Sequence, residues 1–306
     1  MQHQTHMFRG QPDDEAIKLL RYYAGYALEL DPRGYCVCTS EGKDSRVLGH
    51  LMRRAKVPHF YLHNITGIDP PELIKFQRQN FQQYRDEGYL TYDVMYGKSL
   101  WQMMRENLMP PLRQARYCCK HMKERRVIEQ GNALLALGVR AGESANRARN
   151  RAELEANKGK NRKASVKMAF DNDDDRRSFE TCYRDHEQRI NPMLQWSDDD
   201  IWAYSKDVGL EQCILYACGF HRLGCIGCPM ARERGRRREF EYWPGFLKPY
   251  MVTFNWMFAE LERRGRVMFS NDIKSGADWF EWWLKDSTQE KPLDGQLGMK
   301  LHEEDA

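Results

Sequence analysis

Four cysteines in two pairs carry the strongest chemical signal in the chain. Cys118 and Cys119 are adjacent in Arg116-Tyr117-Cys118-Cys119-Lys120-His121-Met122-Lys123, and Cys225 and Cys228 lie in Gly224-Cys225-Ile226-Gly227-Cys228-Pro229. A Cys-x-x-Cys spacing closes a compact loop in which two sulfurs can face one metal site, and Gly227 permits the tight turn. Four thiolates are the number a [4Fe–4S] centre needs. An adjacent pair is unusual for zinc, whose paired ligands are normally spaced by two to four residues. Zinc, a redox pair and unligated thiols remain open as alternatives.

A second signal is Ser40-Glu41-Gly42-Lys43-Asp44-Ser45, set between the apolar run Gly34-Tyr35-Cys36-Val37-Cys38 and the helical spacing of Val47, Leu48, Leu51 and Met52. A loop there puts backbone N–H groups and a helix N-terminus at the carboxyl end of a strand, which suits an anion. Ser40 and Ser45 add hydroxyls, and Lys43 adds a point charge for a phosphate. The spacing is not that of a Walker A loop, and an ordinary polar turn is the plain alternative. Thr66-Gly67-Ile68-Asp69-Pro70-Pro71-Glu72 and Gly138-Val139-Arg140-Ala141-Gly142-Glu143-Ser144-Ala145-Asn146-Arg147 also stand out. The first reads equally well as a turn before a helix beginning at Pro71-Glu72, and the second as a basic helix start.

These residues need a frame. Residues 13–30 have the periodicity of an amphipathic helix with an acidic first turn. Strand spacing is read at 34–38, at His59-Phe60-Tyr61-Leu62 and at 134–140, with a helix from Pro71 to Gln83. The alternation of strand, loop and helix predicts an α/β fold with a doubly wound parallel sheet. Phe246 to Arg263 and Trp279 to Leu284 predict a helical C-terminal extension. Residues 150–176 are polar and read as a mobile loop or lid. The expected organisation is an N-terminal helix over 1–30, a main domain over 31–230 and the extension over 231–306. Cys36 and Cys38 alternate along an apolar strand and read as buried small hydrophobes.

With 41% hydrophobic residues and 12% aromatics in 306 residues, the chain has enough apolar material for a packed core. A formal charge of +4 is too small to prove a nucleic-acid partner. Its distribution is uneven: Arg140, Arg147, Arg149, Arg151, Lys158, Lys160, Arg162, Lys163 and Lys167 fall in one stretch, and Arg232, Arg234, Arg236, Arg237 and Arg238 in another. Such runs suit phosphate-bearing ligands or form solvated faces. No apolar leader or membrane-length run is visible, so a soluble cytoplasmic protein without a membrane partner is expected. Nine cysteines in that compartment argue for metal or redox chemistry over disulfides.

In order along the chain, these segments resemble the phosphoadenosine phosphosulfate (PAPS) reductase-like family of PP-loop ATP pyrophosphatases. Residues 40–45 resemble its Ser-Gly-Gly-x-Asp-Ser loop, with Glu41 in place of the first glycine, which places a carboxylate beside the expected phosphate. The resemblance implies nucleotide binding by Ser40, Gly42, Lys43, Asp44, Ser45, Thr66 and Gly67, with Lys43 and Asp44 catalytic. Ile65 stands where the family has an aspartate before Thr-Gly. The resemblance also implies that Arg140, Ser144 and Arg147 bind a substrate phosphate or sulfate, work that suits guanidinium forks. Cys118, Cys119, Cys225 and Cys228 resemble the cluster ligands of APS reductases and phosphorothioation-type enzymes, and Lys123 the basic residue after their cysteine pair. Asn191-Pro192 through Trp202 and Leu215-Tyr216 through Cys225 extend the likeness, which runs from about 34 to 230.

Thioredoxin-dependent members attack with a cysteine near the C-terminus, and no cysteine follows Cys228 here. The expected function is therefore activation of an acceptor, tRNA or DNA, as an adenylate. ATP with Mg²⁺ would be consumed, pyrophosphate released and sulfur inserted with a [4Fe–4S] cluster. A sulfur-donor or electron-donor protein is the implied partner. The alternatives are a sulfonucleotide reductase using Cys182, Cys213, Cys218 or a partner's thiol, and a non-catalytic Fe–S redox sensor that binds nucleic acid.

Overall fold

The computed structural model describes residues 12–124, 132–143, 152–157, 165–168, 188–266, 270 and 272–286. The chain divides into two compact units, one of residues 1–64, 71–94 and 127–223, the other of 65–70, 95–126 and 224–306.

The first unit is built on a sheet. Helices α1 (Pro12–Tyr22) and α2 (Ala24–Leu30) precede β1 (Tyr35–Thr39), α3 (Lys43–Ala55), β2 (His59–Ile65), α4 (Pro71–Asp86) and β3 (Thr91–Met95). Then follow β4 (Leu135–Ala136), β5 (Leu154–Asn157), β6 (Ser165–Met168) and β7 (Gln188–Ile190). Spatially the strands run β3-β2-β1-β4-β7-β5-β6. β1 pairs in parallel with β2 and β4, and β4 with β7. The chain winds outward from β1 through β2 and resumes on β1's other side with β4. The winding therefore reverses between β1 and β4, as in doubly wound sheets.

Residues on β1 alternate between two apolar clusters, so both faces are covered. Tyr35 and Val37 join Val47, Leu48, Leu51, Tyr61 and Ile190, while Cys36 joins Phe60, Leu62 and Leu135. Such two-sided burial explains why β1 reads as one apolar run. Cys36 is 1% exposed, a packed small side chain as its alternation implied.

Several expectations need correction. The stretch 150–176 contains two strands, with β5 antiparallel to both β6 and β7. It escapes an apolar pattern because backbone pairing and a buried polar contact hold it: Glu155 is buried and accepts from Asn191 Nδ2 at 2.8 Å. The strand expected over 134–140 is only two residues long, because the backbone leaves the ladder at Gly138 to pass close to α3. The N-terminal helix breaks at Tyr23.

In the second unit, the C-terminal expectation is met by helices. After α5 (Leu100–Asn107) and the cysteine-bearing turn Tyr117–Cys119, α6 (Asp198–Asp207) returns to the first unit. The second unit then adds α7 (Glu233–Tyr242), α8 (Pro244–Arg263) and α9 (Gly276–Leu284). Tyr250 stacks on Trp283 with centroids 5.4 Å apart, and Phe254 meets Trp279 edge-on. Fully buried Arg236 donates to the carbonyls of Trp283 and Leu284, satisfying the end of α9. Among the described residues no helix is long and apolar enough to cross a membrane.

Candidate functional site

The loop after β1 is shorter than its sequence suggested, because α3 begins at Lys43 with Gly42 as its N-cap. Glu41 adopts φ 54°, the left-handed region in which a side chain costs about 1–2 kcal/mol. That is the conformation glycine supplies freely. The side chain is drawn into a set of buried contacts. It is 1% exposed, accepts from Thr39 Oγ1 at 2.8 Å and Asn80 Nδ2 at 2.7 Å, and lies 3.7 Å from Arg46 Nη1. Burial raises its pKa, against the pull of Arg46, Thr39 and Asn80. The carboxylate expected beside the phosphate is thus turned inward.

Ser45 ties the loop together, accepting from the Ser40 amide at 3.3 Å and donating to the Gly42 carbonyl at 3.0 Å. The first α3 amide, Lys43 N–H, donates to Tyr216 Oη at 2.9 Å. On the β4 side, Gly138 permits close approach: a Cβ there would stand 3.1 Å from the Asp44 backbone.

At this switch point four charges converge. Lys43 Nζ lies 3.1 Å from Asp44 Oδ2 and 2.8 Å from Asp198 Oδ1. Arg140 Nε donates to Asp44 Oδ1 at 2.6 Å, and Nη2 to Asp198 Oδ1 at 2.7 Å. The Lys43 and Arg140 side chains are only 8% and 5% exposed. Desolvation acts to raise the Asp198 pKa, but the hydrogen bond from Lys43 and the charges of Lys43 and Arg140 outweigh it and hold the carboxyl low. Lys43, Asp44 and Arg140 are thus brought together. Ser144 and Arg147, expected alongside Arg140, lie outside the described residues, as do Cys182 and the basic positions 149, 151, 160 and 163. Asp198 and Tyr216 were not read from sequence. Both sat within motif stretches, but only the fold brings them to Lys43.

Thr66 and Gly67 belong to the second unit, with the cysteines. Thr66 donates through its amide and hydroxyl to Asp69 Oδ2 at 3.0 and 2.7 Å, closing a turn whose Ile68 carbonyl accepts from the Ile226 amide at 2.8 Å. Cys225 Sγ stands 3.5 Å from Thr66 Oγ1 and 3.9 Å from Asp69 Oδ1. The Cys-x-x-Cys turn is clamped from the helices: Gly227 N–H donates to Glu239 Oε2 at 2.7 Å, and Tyr250 Oη donates to the Ile226 carbonyl at 2.8 Å. Gly227 has φ +73°, and a Cβ would meet Phe240 Cζ at 2.7 Å.

The two cysteine pairs feel each other. The hydrogen bond with Cys119 and burial push the Cys118 thiol up, and so do the charges of Cys119, Cys225 and Cys228. The Cys119 thiol is held down by its bond from Cys118, against burial and helped by Lys123 and Arg116. Burial pushes Cys225 up to about 11, opposed by Lys123. Lys123 is raised chiefly by Cys225, with Asp69, Cys119 and Cys228 adding to it. Among the described residues, no three His, Cys, Asp or Glu side chains converge on a single ion position.

Of the basic run at 232–238, Arg236 is buried, and Arg237 pairs with Glu233 and Glu281 at 3.0 and 2.9 Å. Arg232, Arg234 and Arg238 are exposed.

An uncharacterized protein of Methanocaldococcus jannaschii is 26% identical over 234 residues, covering 72% of this chain and 42% of its own length. The chain spans less than half the length of the curated relatives it matches. Among solved structures, a PAPS reductase of Candida auris is similar at TM-score 0.46 and 14% identity, covering 69% of this chain and 88% of its own. A U34-tRNA thiolase of Methanococcus maripaludis, solved with its [4Fe–4S] cluster, is similar at TM-score 0.45 and 17% identity, covering 86% and 84%. The profile of the phosphoadenosine phosphosulfate reductase domain matches residues 34–231, most of the chain, and the protein belongs to that family.

Proposed function

We propose that this chain binds an adenine nucleotide, ATP or a sulfonucleotide, at the end of β1, and that with ATP it activates an acceptor as an adenylate. The observation that carries the reading is the convergence of two buried cations, Lys43 and Arg140, with Asp44 where the sheet winding reverses. An acceptor oxygen attacks the α-phosphorus, a new O–P bond forms, the bond to the β-phosphate oxygen breaks, and pyrophosphate leaves. Lys43 and Arg140 meet the charge that accumulates on the departing pyrophosphate, and fixed donors of this kind contribute about 10²–10³-fold each. Asp44 would hold Mg²⁺, whose charge neutralises the phosphates. Ser40, Ser45 and the α3 N-terminus orient the polyphosphate. The family likeness of their motifs supports a nucleotide role for Thr66 and Gly67 and a substrate role for Ser144 and Arg147.

Cys118, Cys119, Cys225 and Cys228 would hold a [4Fe–4S] cluster. The donor set fits. It fits by number and kind, since four thiolates are what such a cluster takes and the charges of Cys119, Cys225 and Cys228 act on the Cys118 thiol. When bound, the cluster supplies redox and sulfur-handling chemistry for the insertion step. Exposed arginines and the basic stretch after Arg140 suit a polyanionic acceptor, tRNA or DNA.

A reductase reading has one observation in its favour. Cys218 is exposed and lies two residues beyond Tyr216, whose phenol caps α3, whereas Cys213 is buried with its thiol pushed up by desolvation. Pyrophosphate release from ATP by anaerobically purified protein, with and without tRNA or DNA, tests the adenylation reading. Acceptor-dependent release is expected. Reduction of PAPS or APS with thioredoxin, lost in Cys218→Ser and without any such release, would favour the reductase.

A further inference from the structure

The two buried cations of the anion site end on one oxygen. Asp198 Oδ1 lies 2.8 Å from Lys43 Nζ and accepts from Arg140 Nη2 at 2.7 Å. Asp198 is on the first turn of α6, remote in sequence from both partners, and its side chain is 59% exposed. Asp44 meets the same cations with both oxygens, Oδ1 accepting from Arg140 at 2.6 Å and from Lys43 at 3.4 Å and Oδ2 from Lys43 at 3.1 Å, and its side chain is 25% exposed. Lys43 and Arg140 are thus each paired with both carboxylates. A single oxygen shared between a lysine and an arginine is also how those groups would hold a phosphate oxygen.

We propose that Asp198 is an internal competitor for the phosphate position: its Oδ1 takes the donors of Lys43 and Arg140 that an anion would use, and it must swing out for the anion to enter. This rests on reading the cluster as the nucleotide site and adds what regulates occupancy there. Asp198 is the carboxylate that yields because it is the more exposed of the two and regains hydration when released. Asp44 sits beside Lys43 on the same helix turn and stays. Entry of a ligand into a site that is open only part of the time is weakened by the open fraction, whatever the ligand. Removing the competitor therefore tightens every anion that uses the site by a common factor. The turn itself does not depend on Asp198, since Ser197 and Asp200 form the capping box that starts α6.

The test is equilibrium binding of ATP and of inorganic pyrophosphate, in EDTA, to the full chain and to Asp198→Asn, Asp198→Ser and Asp199→Asn. Asp199 is the exposed neighbour and controls for the general loss of one negative charge. Both Asp198 variants are expected to bind both anions about tenfold more tightly, equivalent to about 1.4 kcal/mol, with Asp199→Asn within about twofold of the parent protein. Circular dichroism of each variant checks that the fold is kept. Equal or weaker binding in folded Asp198 variants overturns the proposal while leaving the nucleotide reading in place. Tighter pyrophosphate binding without any ATP binding keeps the competitor and removes the nucleotide reading. Binding of neither anion by any variant overturns both.

Discussion

Arg140 and Asp44 meet across 2.6 Å, and that contact joins the exit of β4 to the first turn of α3. The two residues are 96 positions apart in sequence, and Gly138 makes their approach possible by leaving room for the Asp44 backbone. The fork of Arg140 serves two carboxylates at once, so its planar geometry matters as well as its charge. Arg140→Lys is expected to keep the fold yet lose about tenfold in nucleotide affinity. Arg140→Ala is expected to cost about 1.5–3 kcal/mol of stability, the usual worth of a hydrogen bond to a charged group. Urea unfolding and ATP titration check the two effects separately.

Gly227→Ala should be among the most damaging single changes. The added methyl meets Phe240 and Tyr250 at 2.7 and 2.9 Å, at a φ of +73° that side chains rarely adopt. A loss of about 2 kcal/mol or more is expected from strain and overpacking together. Iron content and a thermal melt after anaerobic purification measure it, and both should fall together because the same turn carries Cys225 and Cys228.

Much of the frame was legible because local pattern and tertiary role agreed. β1, β2, α4 and the body of α3 from Val47 onward announced themselves by apolar runs, by helical spacing and by the small residues between them, whereas the first turn of α3, from Lys43, read as loop. The inward turn of Glu41 was not legible, because its partners Thr39, Asn80 and Arg46 come from three separate elements. Asp198 escaped for the same reason, since nothing near it in sequence marks the cations it bridges. β5 and β6 were missed because their segment has no apolar alternation, its order resting on the backbone ladder. The basic run at 232–238 divides in a way charge counting cannot read: Arg236 closes a helix and Arg237 pairs with glutamates, while Arg232, Arg234 and Arg238 are exposed.

Glu41 gives a pH dependence with a definite sign. Its folded pKa is raised above the unfolded value of about 4.5, so the protonated form is favoured in the folded state. The stability this provides is present in full below pH 4.5 and is lost as pH rises through the folded pKa. Glu41→Gln cannot titrate. Its stability relative to the parent protein is therefore expected to improve from pH 4.5 upward, measured by chemical denaturation at steps of pH. A constant difference across that window would show that Glu41 ionises without penalty.

Charge reversal at Arg149, Arg151, Lys160 and Lys163 is expected to abolish binding of tRNA or duplex DNA and leave ATP binding intact. Affinity for duplex DNA should fall with salt at a logarithmic slope of about −0.9 per phosphate neutralised. A sulfonucleotide carries few charges and would show a shallow slope. Absence of nucleic-acid binding at low salt would favour a small-molecule acceptor.

The central claim is that Lys43 and Asp44, with Arg140, form the seat of an adenine nucleotide. Titration of ATP with Mg²⁺ into the anaerobically purified chain, and into Lys43→Ala and Asp44→Ala, measures it most directly. Saturable binding by the parent protein is expected, weakened at least about tenfold in each variant, with iron content unchanged because the cysteines lie in the other unit. Unchanged affinity in both variants, or no binding by the parent protein, would contradict it.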